Sequence, residues 1–288
     1  MEGSVVAWGY NGYGQCTVPD GLVAKQVSGG GGHSLALCND GSVVAWGNNW
    51  WGQCNVPDGL VAKQVSAGYG HSLALCNDGS VVAWGHNGYG QCTVPDGLVA
   101  KQVSAGEWGS IALRETGSVV AWGSNFYGQL NIPTGLVAKQ VSASAGYFLA
   151  LCDDGSVVVW GGNSYDVPDG LVAKQVSAGY FHSLALCNDG SVVVWGDNEY
   201  GQLNIPDGLV AKCVSAGGGF SLALCNDGSV VAWGENTYGM CDVPEGLVAK
   251  YVSAGGGHAL AIESKGIDSY QRRRAAAWMN LEKPKTLF

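Results

Sequence analysis

The chain has 288 residues, 47% hydrophobic and only 13% charged, with a net charge of −9. No apolar run approaches the roughly 18 residues of a membrane-spanning helix, no secretory leader is evident, and the acidic balance repels phosphate, which argues against nucleic acid as the main partner. These features fit a soluble intracellular chain, or a mature ring trimmed from a longer precursor.

A phrase GSVV(A/V)WG opens seven copies of one block, at Gly3, Gly41, Gly79, Gly117, Gly155, Gly190 and Gly228. The spacing is 38 residues throughout, except for a 35-residue fifth copy. A period of this size marks a solenoid, a propeller or an array. In the second copy, Ser42–Trp46 reads as a strand rich in β-branched residues. Asn48–Gly52 reads as a turn, Cys54–Pro57 as a short extended piece, and Asp58-Gly59 as a second turn. Ala62–Ser66 alternates as a strand, Ala67–Gly70 is a glycine-rich turn, and His71–Cys76 is another strand. No helical periodicity appears within the repeats. The fold class is therefore all-β, a seven-bladed propeller built from small antiparallel sheets.

Neither end of the repeat region makes a whole blade. Gly3–Pro19 supplies the first strand type and the short piece, while Lys250–Ala254 and His258–Glu263 supply the other two. Joined, they form one blade shared by the two ends, which removes an exposed sheet edge. Residues 1–265 are thus expected to form the propeller, and 266–288 a basic C-terminal tail, partly helical.

The phrase GxVxxWGxNxxGQ followed by VxAGxxHSLAL is carried here by Gly41, Trp46, Gly47, Asn49, Gly52 and Gln53, then Val65, Ala67, Gly68, His71, Ser72 and Leu73. It resembles the repeat of the regulator of chromosome condensation (RCC1) family. The resemblance spans roughly residues 3–265 and implies a seven-bladed propeller whose repeats and blades are out of register. The functions it implies are diverse: nucleotide exchange on a small GTPase, ultraviolet perception, ubiquitin-ligase accessory roles and scaffolding. Fold does not choose among them. The ultraviolet receptor of that family carries a GWRHT phrase, whereas the stretches here read GYGHS, GEWGS, GYFHS and GGGHS, without arginine. A light-sensing cluster is therefore not expected.

The tryptophan column (Trp8, Trp46, Trp84, Trp122, Trp160, Trp195, Trp233) reads as packing between blades. His33, His71, His182 and His258 share another column, and equivalent positions around a ring cannot converge on one metal ion. Cysteine exchanges with leucine in one column, so the ten cysteines read as reduced, small apolar residues. No triad, phosphate loop or blade-specific carboxylate pair is visible, so no catalytic residue and no cofactor is expected.

Specificity in a repeat scaffold belongs where the copies differ. Between the AG turn and the SLAL strand stand Tyr69, Glu107, Trp108, Tyr147, Tyr180, Phe181 and Phe220, while the first and last copies offer mainly glycine. After WG stand Trp50, Trp51 and Phe126. Aromatic residues gathered on one face are typical binding anchors, so these ten are the candidate partner-binding residues. In the tail, Arg272, Arg273 and Arg274 adjoin an apolar stripe that includes Trp278 and Leu281. These five are expected to dock on the acidic ring or on another subunit. The sequence reading is a non-catalytic interaction or scaffold propeller, a subunit of a larger protein assembly. The alternative is a nucleotide-exchange regulator of a small GTPase.

Overall fold

The computed structural model describes residues 3–162 and 165–264. The expected helical tail and its docking residues Arg272, Arg273, Arg274, Trp278 and Leu281 lie outside the described residues. Every regular element described is a strand. The chain opens with β1 (Gly3–Gly9) and the two-residue β2 (Val23–Ala24). Six three-stranded sheets follow. They are β3 (Gln26–Gly29), β4 (His33–Leu37) and β5 (Val43–Gly47); β6 (Ala62–Ala67), β7 (His71–Cys76) and β8 (Val81–Gly85); β9 (Gln102–Ala105), β10 (Gly109–Leu113) and β11 (Val119–Gly123). They continue with β12 (Gln140–Ala143), β13 (Tyr147–Leu151) and β14 (Val157–Gly161); β15 (Ala173–Ala178), β16 (His182–Cys187) and β17 (Val192–Gly196); β18 (Ala211–Ala216), β19 (Phe220–Cys225) and β20 (Val230–Gly234). Then come β21 (Ala249–Ala254) and β22 (His258–Glu263).

The seventh sheet takes strands from both ends, in the order β2-β1-β22-β21. Five residue pairs, from Val5↔Ile262 to Gly9↔His258, join β1 to β22 antiparallel. Across the same seam the Gly29 amide donates to Ser253 Oγ at 3.1 Å, and the Gly256 amide to the Gly30 carbonyl at 2.9 Å.

One expected strand is absent. Cys54–Pro57 joins no ladder; it is a connector whose Cys54 amide is held by Asn49 Oδ1 at 2.8 Å. Pro57 has no amide proton for a ladder. Instead, the chain meets the sheet edge three residues after the PDG turn, with the Ala62 amide donating to the Gly41 carbonyl. That contact recurs from Ala100 to Gly79 and from Ala249 to Gly228. Gly41 sits at φ +88°, where a Cβ would strike the Val61 side chain at 2.7 Å. Its column therefore admits little but glycine.

The core lies between sheets. Middle strands are buried along their length, as in HSLAL of β4 and β7. Leucines on one side of a middle strand meet alanines, valines and a tryptophan of the next sheet. Leu73 and Leu75 pack with Val103, Ala112 and Trp122. Large side chains on one sheet thus meet small ones on its neighbour, which lets the sheets approach closely. Each tryptophan also needs a polar partner for its indole N–H. Trp46 Nε1 donates to the Gln15 carbonyl at 2.8 Å, and Trp84 and Trp122 do the same to Gln53 and Gln91. Trp195 is the exception: among the described residues its buried Nε1 has no acceptor. The shortened fifth copy lacks the segment, Gly-Gln in most copies and Gly239-Met240 in the last, that supplies the carbonyl elsewhere.

The inner strands line a central channel. Each inner serine accepts a backbone N–H from the next blade, as Ser28 does from Ala67 at 2.9 Å and Ser215 from Ala254 at 3.0 Å. Inner glutamines add two-point contacts: Gln64 Nε2 donates to the Val103 carbonyl and its Oε1 accepts from the Val103 amide.

Candidate functional site

The loops between inner and middle strands and the loops after WG emerge on one face, because β4 and β5 pair with His33 opposite Gly47. The PDG and NDG turns emerge on the other. Charge divides the same way. The lysine column and Arg114 belong to the second face, where Lys139 Nζ reaches the Asp153 carbonyl and Lys174 Nζ the Asn188 carbonyl. Each NDG aspartate there accepts from the serine two residues on, as Asp40 does from the Ser42 hydroxyl and amide, which holds its carboxyl below the usual range. The first face carries Glu107, Asp197, Glu199, Glu235 and Asp242, which Asn236 of the loop after WG holds at 2.9 Å, and no lysine or arginine among the described residues.

Aromatic side chains cover that first face. Tyr10 contacts Tyr238 and Tyr13, and Tyr13 meets Trp50 edge-on at 5.2 Å. Trp51 touches Tyr69 and His86, and Tyr89 meets Trp108 and Phe126. Trp108 stacks on Tyr127 at 6.5 Å and 15°. Trp50 and Phe126 are the most exposed, at 74% and 73%. Tyr69, Trp51 and Phe181 are also exposed. Glu107, Trp108 and Tyr180 are half-buried.

The two variable positions of each inner loop have different destinations. The first points to the mouth of the channel, where Tyr69, Glu107 and Tyr180 line a cavity of about 140 Å³. The second lies under the outer rim: a Cβ on Gly70 would strike the Trp51 ring at 2.6 Å, and one on Gly146 the Tyr127 ring at 3.0 Å. Sequence order alone does not reveal this division.

Two candidates are corrected. Tyr147 and Phe220 are 1% and 0% exposed, so neither meets a partner. They occupy the histidine column at the start of a middle strand. His33 Nε2 lies 3.0 Å from Ser72 Oγ in the next blade, and His71 Nε2 lies 2.9 Å from Ser110 Oγ. The Ser72 hydroxyl donates to the Gln53 carbonyl, so it accepts from His33, which fixes the proton on Nε2. Tyr147 replaces that histidine, its hydroxyl lying 2.9 Å from Ser183 Oγ. Phe220 packs in the apolar cluster that holds Ala259, which stands in the serine column. Burial holds these histidines neutral, pushing His33 and His71 down to about 3 and His182 and His258 to about 4.

The ten cysteines are free thiols. Burial raises Cys16, Cys54, Cys92 and Cys241 to about 11, which disfavours the reactive thiolate. No group of three or more His, Cys, Asp or Glu among the described residues is placed to hold a metal ion. No helix there is long and apolar enough to cross a membrane.

These sheets, their shared last blade and their repeated WG and HSLAL strands define an RCC1-type propeller. The Regulator of chromosome condensation (RCC1) repeat matches residues 24–49, 62–91, 100–129, 138–166, 173–202 and 211–239. With more than half its length matched, the chain belongs to that family. Its fold is similar to that of Prp20p from Saccharomyces cerevisiae, with a TM-score of 0.79 at 19% identity over 97% of this chain and 95% of the other. Prp20p is described with binding properties to Gsp1p and histones. Human WBSCR16 matches with a TM-score of 0.76 at 19% identity, over 93% of this chain and all of the other. The CRINKLY WD40 ectodomain of the Arabidopsis thaliana receptor kinase ACR4 matches with 0.69 at 22% identity, over 83% and 90%. At these identities the likeness is one of fold. No curated protein sequence matches the chain.

Proposed function

We propose that this propeller is a non-catalytic protein-binding subunit of a larger assembly and that its aromatic face is the contact surface. The observation that carries this reading is the run of exposed rings from Tyr238 through Tyr13 and Trp50 to Phe126. Large exposed aromatics cost solvation in a free monomer and are enriched where partners bind. Solvated aspartate–lysine turns fill the opposite face, and exposed charge pairs of that kind contribute little to affinity. Protein partners of Prp20p support the reading by family alone. Nucleic acid is not the expected ligand, because the aromatic face carries carboxylates and no fixed positive charge among the described residues.

The test is affinity purification of the full chain from its own cells, beside a W50A/F126A double variant. Partners held by wild type and lost from the folded variant support the reading. Partners held equally by both remove the aromatic face from it. An exchange assay with candidate small GTPases separates the scaffold reading from nucleotide exchange: catalysed nucleotide release would replace it.

A further inference from the structure

Seven inner loops meet at the mouth of the channel, and the first variable residues Gly31, Tyr69, Glu107, Tyr180 and Gly256 line its cavity, together with Ser144 and Gly217 of the other two loops. In four blades the first variable residue is Gly31, Ala145, Gly218 or Gly256, with little or no side chain. The other three are Tyr69, Glu107 and Tyr180, and all three line the same cavity. Tyr180 reaches across the mouth: a Cβ on Gly256 would lie 2.8 Å from its hydroxyl, and one on Gly218 would strike the Gly256 carbonyl. The glycines therefore keep this mouth open enough for the longer side chains. The cavity far exceeds the ~15 Å³ that admits one water.

Among the described residues Glu107 is the only carboxylate that lines this cavity, and no lysine or arginine lines it. Its ionisation is shifted upward by burial alone, with neither a hydrogen-bond donor nor a cation offsetting it. A half-buried carboxylate with no partner is costly to maintain. Its neighbours are phenol rings, whose faces attract cations, and Glu107 and Tyr69 both bear electrostatically on Tyr180. All the fixed positive charges among the described residues sit on the opposite face, so none of them is placed to serve Glu107.

We propose that the channel mouth is a socket for one cationic side chain, a lysine or arginine presented by the protein that binds the aromatic face. Glu107 is its counter-ion, and the rings of Tyr69 and Tyr180 form its walls. The inference deepens the protein-binding reading, and rests on it, by naming the chemistry of the partner's central contact.

The probes are blocked pentapeptides of glycine with one central lysine, arginine or Nε-acetyl-lysine, titrated into the full chain at low salt and followed by amide chemical shifts. The lysine or arginine peptide is expected to shift Tyr69, Glu107 and Tyr180, and the stronger of the two names the side chain. The acetylated peptide is expected to leave them still. E107Q should weaken binding at least fivefold, whereas E235Q, a carboxylate of the outer rim, should change it less than twofold. Equal binding of the acetylated peptide, wild-type affinity in E107Q, or shifts confined to the rim would overturn the socket. If E107Q does not fold, Y69A makes the same comparison. Replacing Arg272, Arg273 and Arg274 by glutamine addresses the chain's own tail: a several-fold tighter peptide affinity would make the tail the occupant and overturn the partner assignment. Loss of the socket with partner capture intact leaves the aromatic face standing. Partner capture insensitive to W50A/F126A, with peptide binding intact, removes the face and leaves the socket.

Discussion

His258 Nε2 lies 2.9 Å from Ser34 Oγ, a hydrogen bond between the last middle strand and the first. It is one of seven matched contacts, one at each blade interface. His33–Ser72, His71–Ser110 and His182–Ser221 repeat it. Tyr147–Ser183 preserves its polarity. In the other two both partners change: Gly109 makes room for Phe148, whose Cζ would lie 3.1 Å from a Cβ there, and Phe220 packs with Ala259. The exchange is compensated in size and polarity each time, so the three departures set their interfaces apart from the four that carry His–Ser.

The matched pair predicts coupled substitutions. S34A leaves the buried Nε2–H of His258 without an acceptor and should cost about 1–3 kcal/mol. H258F alone crowds Ser34 and removes the N–H that its oxygen accepts, although the Ser34 hydroxyl still donates to the Gln15 carbonyl at 3.0 Å. The double variant H258F/S34A reproduces the Phe220–Ala259 pairing and should be more stable than the two single losses summed, by roughly 0.5–3 kcal/mol. Urea unfolding of the four proteins measures it; additive losses would show that the pair is not coupled.

The buried histidines predict acid lability. Their folded values, about 3 for His33 and His71 and about 4 for His182 and His258, lie below 6.5. The unfolded chain therefore takes up protons that the native state refuses, and stability is full above pH 6.5 and lost as pH falls toward 4. Four such groups give a slope of at most about 5 kcal/mol per pH unit. Midpoints of urea unfolding measured from pH 7.5 to 4.5 should fall steeply, and less steeply in H258F/S34A.

Much of the frame was legible in residues. His71–Cys76 reads as a strand and is one, because its apolar residues face a sheet on both sides. The Cys54–Pro57 strand fails because its Asn49 partner is a side chain, and side-chain scaffolding of a connector leaves no periodicity. Tyr147 and Phe220 were misplaced although their column gave the signal: they align with buried histidines, not with the loop. The meeting of Tyr69, Glu107 and Tyr180 was not legible, since residues 38 and 73 positions apart become neighbours only once blades pack around a common axis.

Glu107 predicts the opposite pH trend to the histidines. Its folded value is raised by burial, so the native state keeps a proton that the unfolded chain has released, and stability falls as pH rises through that window. E107Q removes this penalty. Its thermal midpoint should exceed that of wild type at pH 8 by more than at pH 5, and an equal difference at both would contradict the assignment.

Trp195 and Trp160 predict unequal costs for the same change. Trp160 Nε1 donates to the Gln129 carbonyl at 2.9 Å, whereas Trp195 Nε1 has no acceptor among the described residues. Phenylalanine removes comparable packing at both, but only W160F breaks a buried hydrogen bond. W160F should therefore cost about 1 kcal/mol more than W195F by chemical denaturation.

The seam between β1 and β22 has a mechanical consequence. Gly3 and Glu263 lie at the same end of that ladder, whose rungs run from Val5–Ile262 to Gly9–His258. Tension applied between those two residues does not shear all five rungs together. It peels them one after another, as a zipper opens, starting at Val5. A load carried by the two ends of the ring therefore meets the seam one rung at a time, and its direction sets how long the circle stays shut.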